Sequence, residues 1–544
     1  MTAVSALTRQ EGNNWQALSD FKYQRVDMTK LAAHFSNLAQ ELAKANSASD
    51  KYLLLRKCDE LYRAYYENVS YLIFQAEVKA DNNSYYQTEL AYYEASMSLL
   101  QHAYLGAKVS ILRGDLGELA KLTGKRYLLD LQMQYFLKQD ATLKINAKQS
   151  EIVKRIRHEL LCLPMQFGKL SAKELADLNR SFNELLALGT RKAKLLGYNN
   201  YGELAISLAA RSELGAERLR EIRQAVQKYL VPLYKGLLVK AGLYQNGWLS
   251  FQNQASMFKA FQQLITATFS EPDLASFGEL KEQGCVKLAV NSIDSEGTPY
   301  KTRATKLSLN GLYLANWRQT LVCLHSFAHI TDWVELYQGL VSTSFTLVNK
   351  TDSSLIENEL PDTVFKSYAS QVLESLCFPT SEKLFGRSYF YKRVMQILEK
   401  LLHICLLTEL QEQLYLVNPQ ASNDLLTLSR NLYSSLHEIY FPGLKRYSEF
   451  ILPCNFNELL AESFDQQLKV LLELSGLMLW DEADKFKTSD ERLEAFYNLL
   501  KLGSKYTPVE AIEHLDWPSA FDEDAIKRLA YKLAYHLEVN NKED

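Results

Sequence analysis

Helix breakers are scarce in this chain. Eleven prolines and 22 glycines are spread over 544 residues, and Leu, Ala, Glu and Lys are abundant between them. In a helix interior proline costs about 3 kcal/mol and glycine about 1 kcal/mol relative to alanine, so long breaker-free stretches favour continuous helix. The predicted class is all-α in the main, a large helical body. At 544 residues the chain exceeds one compact core, so more than one lobe is expected. The 32 tyrosines read chiefly as amphipathic packing residues, ring inward and hydroxyl at the surface.

Charge and cysteine usage exclude several partner classes. Net charge is −3 with a pI near 6.4, which gives no basis for nucleic acid or an anionic membrane as a partner. The seven cysteines, at 58, 162, 285, 323, 377, 405 and 454, include no Cys-x-x-Cys pair. Neither a thiolate zinc site nor a disulfide framework is indicated. The opening residues show no basic stretch followed by an apolar core, and no apolar run approaches about eighteen residues. The expected location is the cytoplasm.

Along the chain, residues 1–30 are polar and aromatic, with Trp15 and Tyr23 expected to pin an extended arm. From Leu31 to about Gly114 apolar residues recur every three or four positions, the pattern of helices packing on one another. Asp81-Asn-Asn-Ser84 reads as a turn and N-cap, and Ser171-Ala-Lys-Glu174 as a capping box. Between 278 and 316 the pattern changes. Gly284–Val290 and Lys301–Leu309 show β-branched alternation around Asp294-Ser-Glu-Gly-Thr-Pro299, which predicts one small β-sheet.

The next stretch, Leu321-Val-Cys-Leu-His-Ser-Phe-Ala-His-Ile-Thr-Asp-Trp-Val334, is an apolar run read as helix, carrying His325 and His329. Imidazoles four apart on a helix share a face and can reach one zinc ion. In a zinc peptidase the residue after the first His is a Glu that takes the proton of the metal-bound water. Here it is Ser326, whose hydroxyl lacks the basicity for that task. The competing reading is that both histidines are ordinary packing residues of a helical scaffold.

Three further segments resemble the thimet oligopeptidase and oligoendopeptidase F family of zinc metallopeptidases. They are Leu195-Leu-Gly-Tyr-Asn-Asn-Tyr-Gly-Glu-Leu204, Tyr368-Ala-Ser-Gln-Val-Leu-Glu374, and the tail Phe496–Glu510 with its Gly-Ser turn and Pro-initiated helix. With the His pair they stand in the family's order from about 190 to 530. The resemblance implies an N-terminal helical region over 1–114, a helical region over 115–190, and a metallopeptidase-like region over 191–544. It also implies a deep peptide cleft and a small sheet next to the His-x-x-x-His helix. Its edge strand, Lys306–Asn310, would hold the substrate backbone by β-augmentation, with Ser308, Asn310, Asn316 and Tyr447 as peptide-binding residues.

The family takes its third zinc ligand, a Glu, four residues before the Gln of the Ser-Gln segment, which falls here on Ser367. Glu357 and Glu359 in a competing register, or Asp332 and Glu335, are the other candidates for ligand or orienting partner. The family's late tyrosine-rich run ending in Gly reads Lys469-Val-Leu-Leu-Glu-Leu-Ser-Gly476, without tyrosine. His437, Tyr440 and Tyr447 could fill some of its oxyanion-stabilising roles in a shifted register. The base, the third ligand and the oxyanion tyrosines all depart together. The expectation is a peptide- or partner-binding pseudopeptidase with zinc-dependent hydrolysis impaired or lost, zinc being present or absent. Its ligands would be short unstructured peptides or a protein partner. The alternative is an active zinc oligopeptidase with a relocated base.

Overall fold

The computed structural model describes residues 21–78, 84–112, 116–137, 171–204, 215–244, 254–269, 286–289, 312–314, 319–325, 333–349, 361–416, 425–444, 463–482 and 485–538, with isolated positions between 142 and 152 and Leu355. Helices dominate, as the scarcity of breakers predicts. Internal contacts divide the chain into two units, each assembled from three stretches. The first comprises Met1–Gly124, Ser250–Asp362 and Thr488–Lys505; the second comprises Lys125–Leu249, Thr363–Lys487 and Tyr506–Asp544. This grouping runs across the sequence segments 1–114, 115–190 and 191–544.

The first unit begins with three packed helices, α1 (Met28–Lys44), α2 (Ala48–Val78) and α3 (Ser84–Val109). Asp27 starts α1 by accepting from the backbone N–H groups of Thr29 and Lys30, which satisfies two orphan donors of the first turn. Phe35 and Leu42 of α1, Leu55, Cys58 and Leu72 of α2, and Leu100 of α3 are fully buried, the core that the three-and-four spacing predicts.

Three short backbone segments follow, β1 (Val286–Ala289), β2 (Leu312–Leu314) and β3 (Gln319–His325). β3 runs parallel to β1, with Ala289 opposite His325, and antiparallel to β2, with Leu312 opposite Leu321. The small sheet expected over 284–309 beside a helical His pair is not supported in that form. The second expected strand, 301–309, lies outside the described residues, and His325 ends β3 instead of standing on a neighbouring helix. The helix expected over Leu321–Val334 is corrected over 321–325, which are strand; 326–332 lie outside the described residues, and Trp333 and Val334 open the next described helix, α4 (Trp333–Asn349). A short apolar run containing Thr320 and Val322 suits a strand as well as a buried helix, and periodicity alone does not separate the two. α4 is anchored by its aromatic face. Phe261 meets Trp333 and Tyr337 edge-on at 5.7 and 5.0 Å, and Asn349 donates to the Leu500 carbonyl at 2.9 Å.

The core of the second unit is built on four helices, α5 (Thr363–Phe385), α6 (Arg387–Leu416), α7 (Leu425–Tyr440) and α8 (Ser463–Asp481). α5 packs against α8 and α6, and α6 against α7. α5 is buried almost continuously from Ser367 to Phe378, so it is a core helix rather than an amphipathic surface one. The expected capping box at Ser171 and Glu174 is present with both of its bonds. The expected helix end at Gly197 is also there, with Gly197 at φ +85°, a conformation that suits glycine. In the first unit's third stretch a helix runs to Gly503. In the second unit Pro508 opens the next helix, capped by Thr507 and Glu510.

Candidate functional site

The buried serines, glutamines and acids placed along α5 and α8 would be costly in a packed core without partners. Two of the acids receive cations from α6. Glu374 of α5 accepts from Arg393 through Nε at 2.6 Å and Nη2 at 2.8 Å, a bidentate pair, and also from the Tyr389 hydroxyl. Arg393 passes its remaining Nη1 to Gln396 at 2.7 Å. Burial acts to lower the Arg393 pKa, but the Glu374 charge and its hydrogen bonds outweigh this and hold it above the usual value. Arg393 therefore stays charged beside Glu374, which is 2% exposed.

The second acid bears on the Ser367 position. Ser367 is 4% exposed and its hydroxyl donates to Glu473 Oε1 of α8 at 2.5 Å. Lys400 of α6 binds the same carboxylate at 3.0 Å and 2.8 Å through both oxygens. Lys469, one turn before Glu473, has its pKa lowered by burial, with Glu473 raising it and Lys400 lowering it further. Arg393 also feels the Glu473 charge. Two carboxylates and their cations thus line the α5–α6–α8 interface as one charge-balanced ladder.

Close helix approach makes this possible. A Cβ built on Gly476 would stand 3.0 Å from Gln371 Cβ and Cγ and 3.1 Å from the Val372 nitrogen, so only glycine lets α8 lie this near α5. Ser475 returns its hydroxyl to the Leu471 carbonyl and accepts from the Ala520 N–H at 2.8 Å.

At the register where the resemblance implies a zinc-binding Glu, the chain therefore holds a serine hydroxyl, and the carboxylate that this hydroxyl meets is occupied by an ammonium group. A hydroxyl is a weak zinc donor, and a carboxylate with both oxygens on Lys400 has little lone-pair capacity left for a metal. The donor set at this position does not fit a zinc site. Among the described residues no group of three or more His, Cys, Asp or Glu is placed to hold a metal ion.

The other candidates are reached less far. His325 is the last residue of β3. Ser326, His329, Asp332, Glu357, Glu359, Ser308, Asn310, Asn316 and Tyr447 lie outside the described residues, and Glu335 is placed on α4. His437 and Tyr440 belong to α7, where the Tyr440 hydroxyl donates to Glu409 at 2.8 Å. Glu473, Lys400 and Arg393 were missed as a constellation. The available signals were a lone acid in Val-Leu-Leu-Glu-Leu and two bases seven apart, which share one helix face.

Residues 18–136 match the family model described as Peptidase M3 N-terminal domain. No curated protein matches the sequence. Among solved structures, a protein assigned as oligoendopeptidase F from Bacillus anthracis str. Ames is 15% identical with a TM-score of 0.72, over 96% of this chain and 98% of that one. PZ peptidase A, solved with an inhibitor, is 14% identical with a TM-score of 0.71, over 96% and 99%. Trypanosoma cruzi metallocarboxypeptidase 1 is 12% identical with a TM-score of 0.55, over 93% and 99%. At such identities the likeness is one of fold, the helical peptidase fold of these proteins. The matched N-terminal domain and this shared fold together support membership of the M3 oligoendopeptidase family, in agreement with the sequence motifs.

Proposed function

We propose that this chain is an oligoendopeptidase F-like pseudopeptidase that binds short unstructured peptides or a protein partner in the family's cleft, with zinc-dependent hydrolysis impaired or lost. The observation that carries this reading is the Ser367–Glu473–Lys400 arrangement: the third-ligand register holds a hydroxyl, and the adjacent carboxylate is neutralised by a lysine. Ser326 in the place of the general base points the same way, since loss of such a group removes about 10²–10⁴ in rate. Ser308, Asn310, Asn316 and Tyr447 remain the proposed peptide contacts. A metal is plausible from the family, whose oligoendopeptidases are metallopeptidases. If bound, it would activate water for attack on a peptide carbonyl, and His325 and His329 would be its retained ligands. Among the described residues no helix is long and apolar enough to cross a membrane, and a cytoplasmic location is part of the proposal.

The test pairs metal content with cleavage. The full chain should carry well under one zinc per molecule by elemental mass spectrometry. It should bind labelled peptides without chelator-sensitive cleavage of a quenched-fluorescent series, and Ser326→Glu should raise such cleavage above background. One zinc per chain together with chelator-abolished cleavage by the unaltered protein overturns the reading.

The competing reading, an active peptidase, would require Glu473, whose carboxylate lies 2.5 Å from the Ser367 hydroxyl, to exchange Lys400 for a metal. Under that reading Glu473→Gln abolishes chelator-sensitive cleavage; under the pseudopeptidase reading there is none to abolish.

A further inference from the structure

Ahead of α1 the segment Phe21–Asp27 has no regular secondary structure, yet it is held along its length by α2 and α3. Alternate side chains make the contacts. Phe21 stacks on Tyr71 with ring centroids 4.5 Å apart. Tyr23 donates its hydroxyl to Glu89, and the Tyr93 hydroxyl lies 3.4 Å from it. Arg25 grips both oxygens of Glu89, Nε at 3.1 Å and Nη2 at 3.0 Å, and lies 4.2 Å over the Tyr92 ring.

The helices also read the backbone of this segment. Gln24 N–H donates to Asn68 Oδ1 at 2.9 Å, and Asn68 is aimed by its own bond to the Ala64 carbonyl at 2.7 Å. Val26 N–H donates to the Tyr93 hydroxyl at 2.8 Å, and the Tyr92 hydroxyl donates to the Val26 carbonyl at 3.1 Å. Backbone bonds combined with pockets for alternate side chains are how proteins recognise an extended peptide. Here the receiving groups are side chains of helices, not a sheet edge.

Two features mark this as a docking site rather than core. Lys22, Gln24 and Asp27 are exposed, and Arg25 keeps 51% of its side chain in solvent, so the segment lies over the helices instead of being enclosed by them. The groups beneath are buried: Glu89 is 8% exposed and Tyr93 2%. Among the described residues the partners of the Glu89 carboxylate are Tyr23 and Arg25. With the segment lifted, a carboxylate set into an apolar surface loses its cation, which creates a demand for another cation in the same place.

We propose that the α2–α3 face is a recognition site for an extended Tyr-x-Arg peptide, and that Phe21–Asp27 is its resident ligand, bound in cis and displaceable. The aromatic floor of Tyr71, Tyr92 and Tyr93 sets the register, and Glu89 selects the arginine. Because the resident segment is tethered, it competes at an effective concentration near millimolar, and a free peptide enters only when that segment is weakened.

The probe is a fluorescein-labelled peptide of residues 19–30, titrated by anisotropy into the full chain. Tyr23→Ala/Arg25→Ala, which loosens the resident segment, should bind the probe at least tenfold more tightly than the unaltered chain. Adding Glu89→Gln to that variant should remove at least tenfold of the gain, and raising the salt concentration should weaken binding. Absence of binding to the loosened variant, with circular dichroism and melting unchanged, overturns the proposal, as does binding indifferent to Glu89. Should the variant fail to fold, hydrogen exchange of the unaltered chain decides. The Gln24 and Val26 amides should exchange through local opening, faster than core amides of α2. Exchange of these two amides only with global unfolding makes the segment a fixed part of the core and overturns the proposal.

Discussion

Glu473 and Lys400 face each other across the α6–α8 contact at 2.8 and 3.0 Å, with the Ser367 hydroxyl closing the third side at 2.5 Å. A carboxylate, an ammonium and a hydroxyl therefore meet where the resemblance implies a single metal-binding acid. The ammonium belongs to a side chain that is 46% exposed, while the carboxylate is 12% exposed, so the pair lies between a solvated and a buried ion pair.

Replacing the cation tests that placement. Lys400→Met should lower stability by about 1–3 kcal/mol, toward the lower end because the ammonium is half in solvent. Ser367→Ala should cost less. The double variant should fall short of the sum, since both side chains act on one carboxylate. Urea unfolding of the three variants measures this; strict additivity means that the two contacts are independent.

Arg393→Met is the harsher change. It strands Glu374 at 2% exposure with the Tyr389 hydroxyl as its remaining partner here, at an expected cost of about 3–5 kcal/mol. Replacing both partners, Glu374→Met with Arg393→Met, should recover a large part of that loss. A double variant as unstable as the single one would show that shape, not charge, governs this contact.

Gly476→Ala adds one methyl against Gln371 and Val372 at 3.0–3.1 Å. The α5–α8 interface must open or Gln371 must repack, at about 1–3 kcal/mol. Thermal melting should show the loss. An unchanged melting temperature would mean that the two helices separate freely.

His403 sets an acid limit on stability. Burial, and then the neighbouring His437, lower its pKa below 6.5. Above about pH 6.5 the imidazole is neutral in both states and its contribution is complete. As pH falls from there through the lower folded value, the unfolded chain binds a proton that the folded chain resists, so stability declines. His403→Gln should flatten the stability profile between pH 6.5 and the acid limb, as read by melting temperature against pH; an unchanged profile assigns the acid sensitivity elsewhere.

Local signals were the legible ones. Ser171 with Glu174, Gly197 and Pro508 each announce a helix end through chemistry confined to a few residues, and each is found in place. The apolar spacing of Phe35 and Leu42 likewise marks a buried face that the fold then uses. Leu321–His325 reads as helix or strand alike because a short apolar run shows no polar–apolar alternation to reveal its period, and its neighbours then choose the strand.

By itself the sequence determined the helical class, the capped helix ends and the absence of a glutamate at positions 326 and 367, because backbone propensity, capping and side-chain identity are local properties. Only the tertiary structure decided that Glu473 would stand beside Ser367 and that Lys400 would neutralise it. Those three residues lie on separate helices, with Ser367 and Glu473 106 positions apart in the chain. No local pattern encodes which lone charge on one helix meets which on another. That pairing follows from how closely Gly476 lets α8 approach α5, a property of packed surfaces that exists only once the chain has folded.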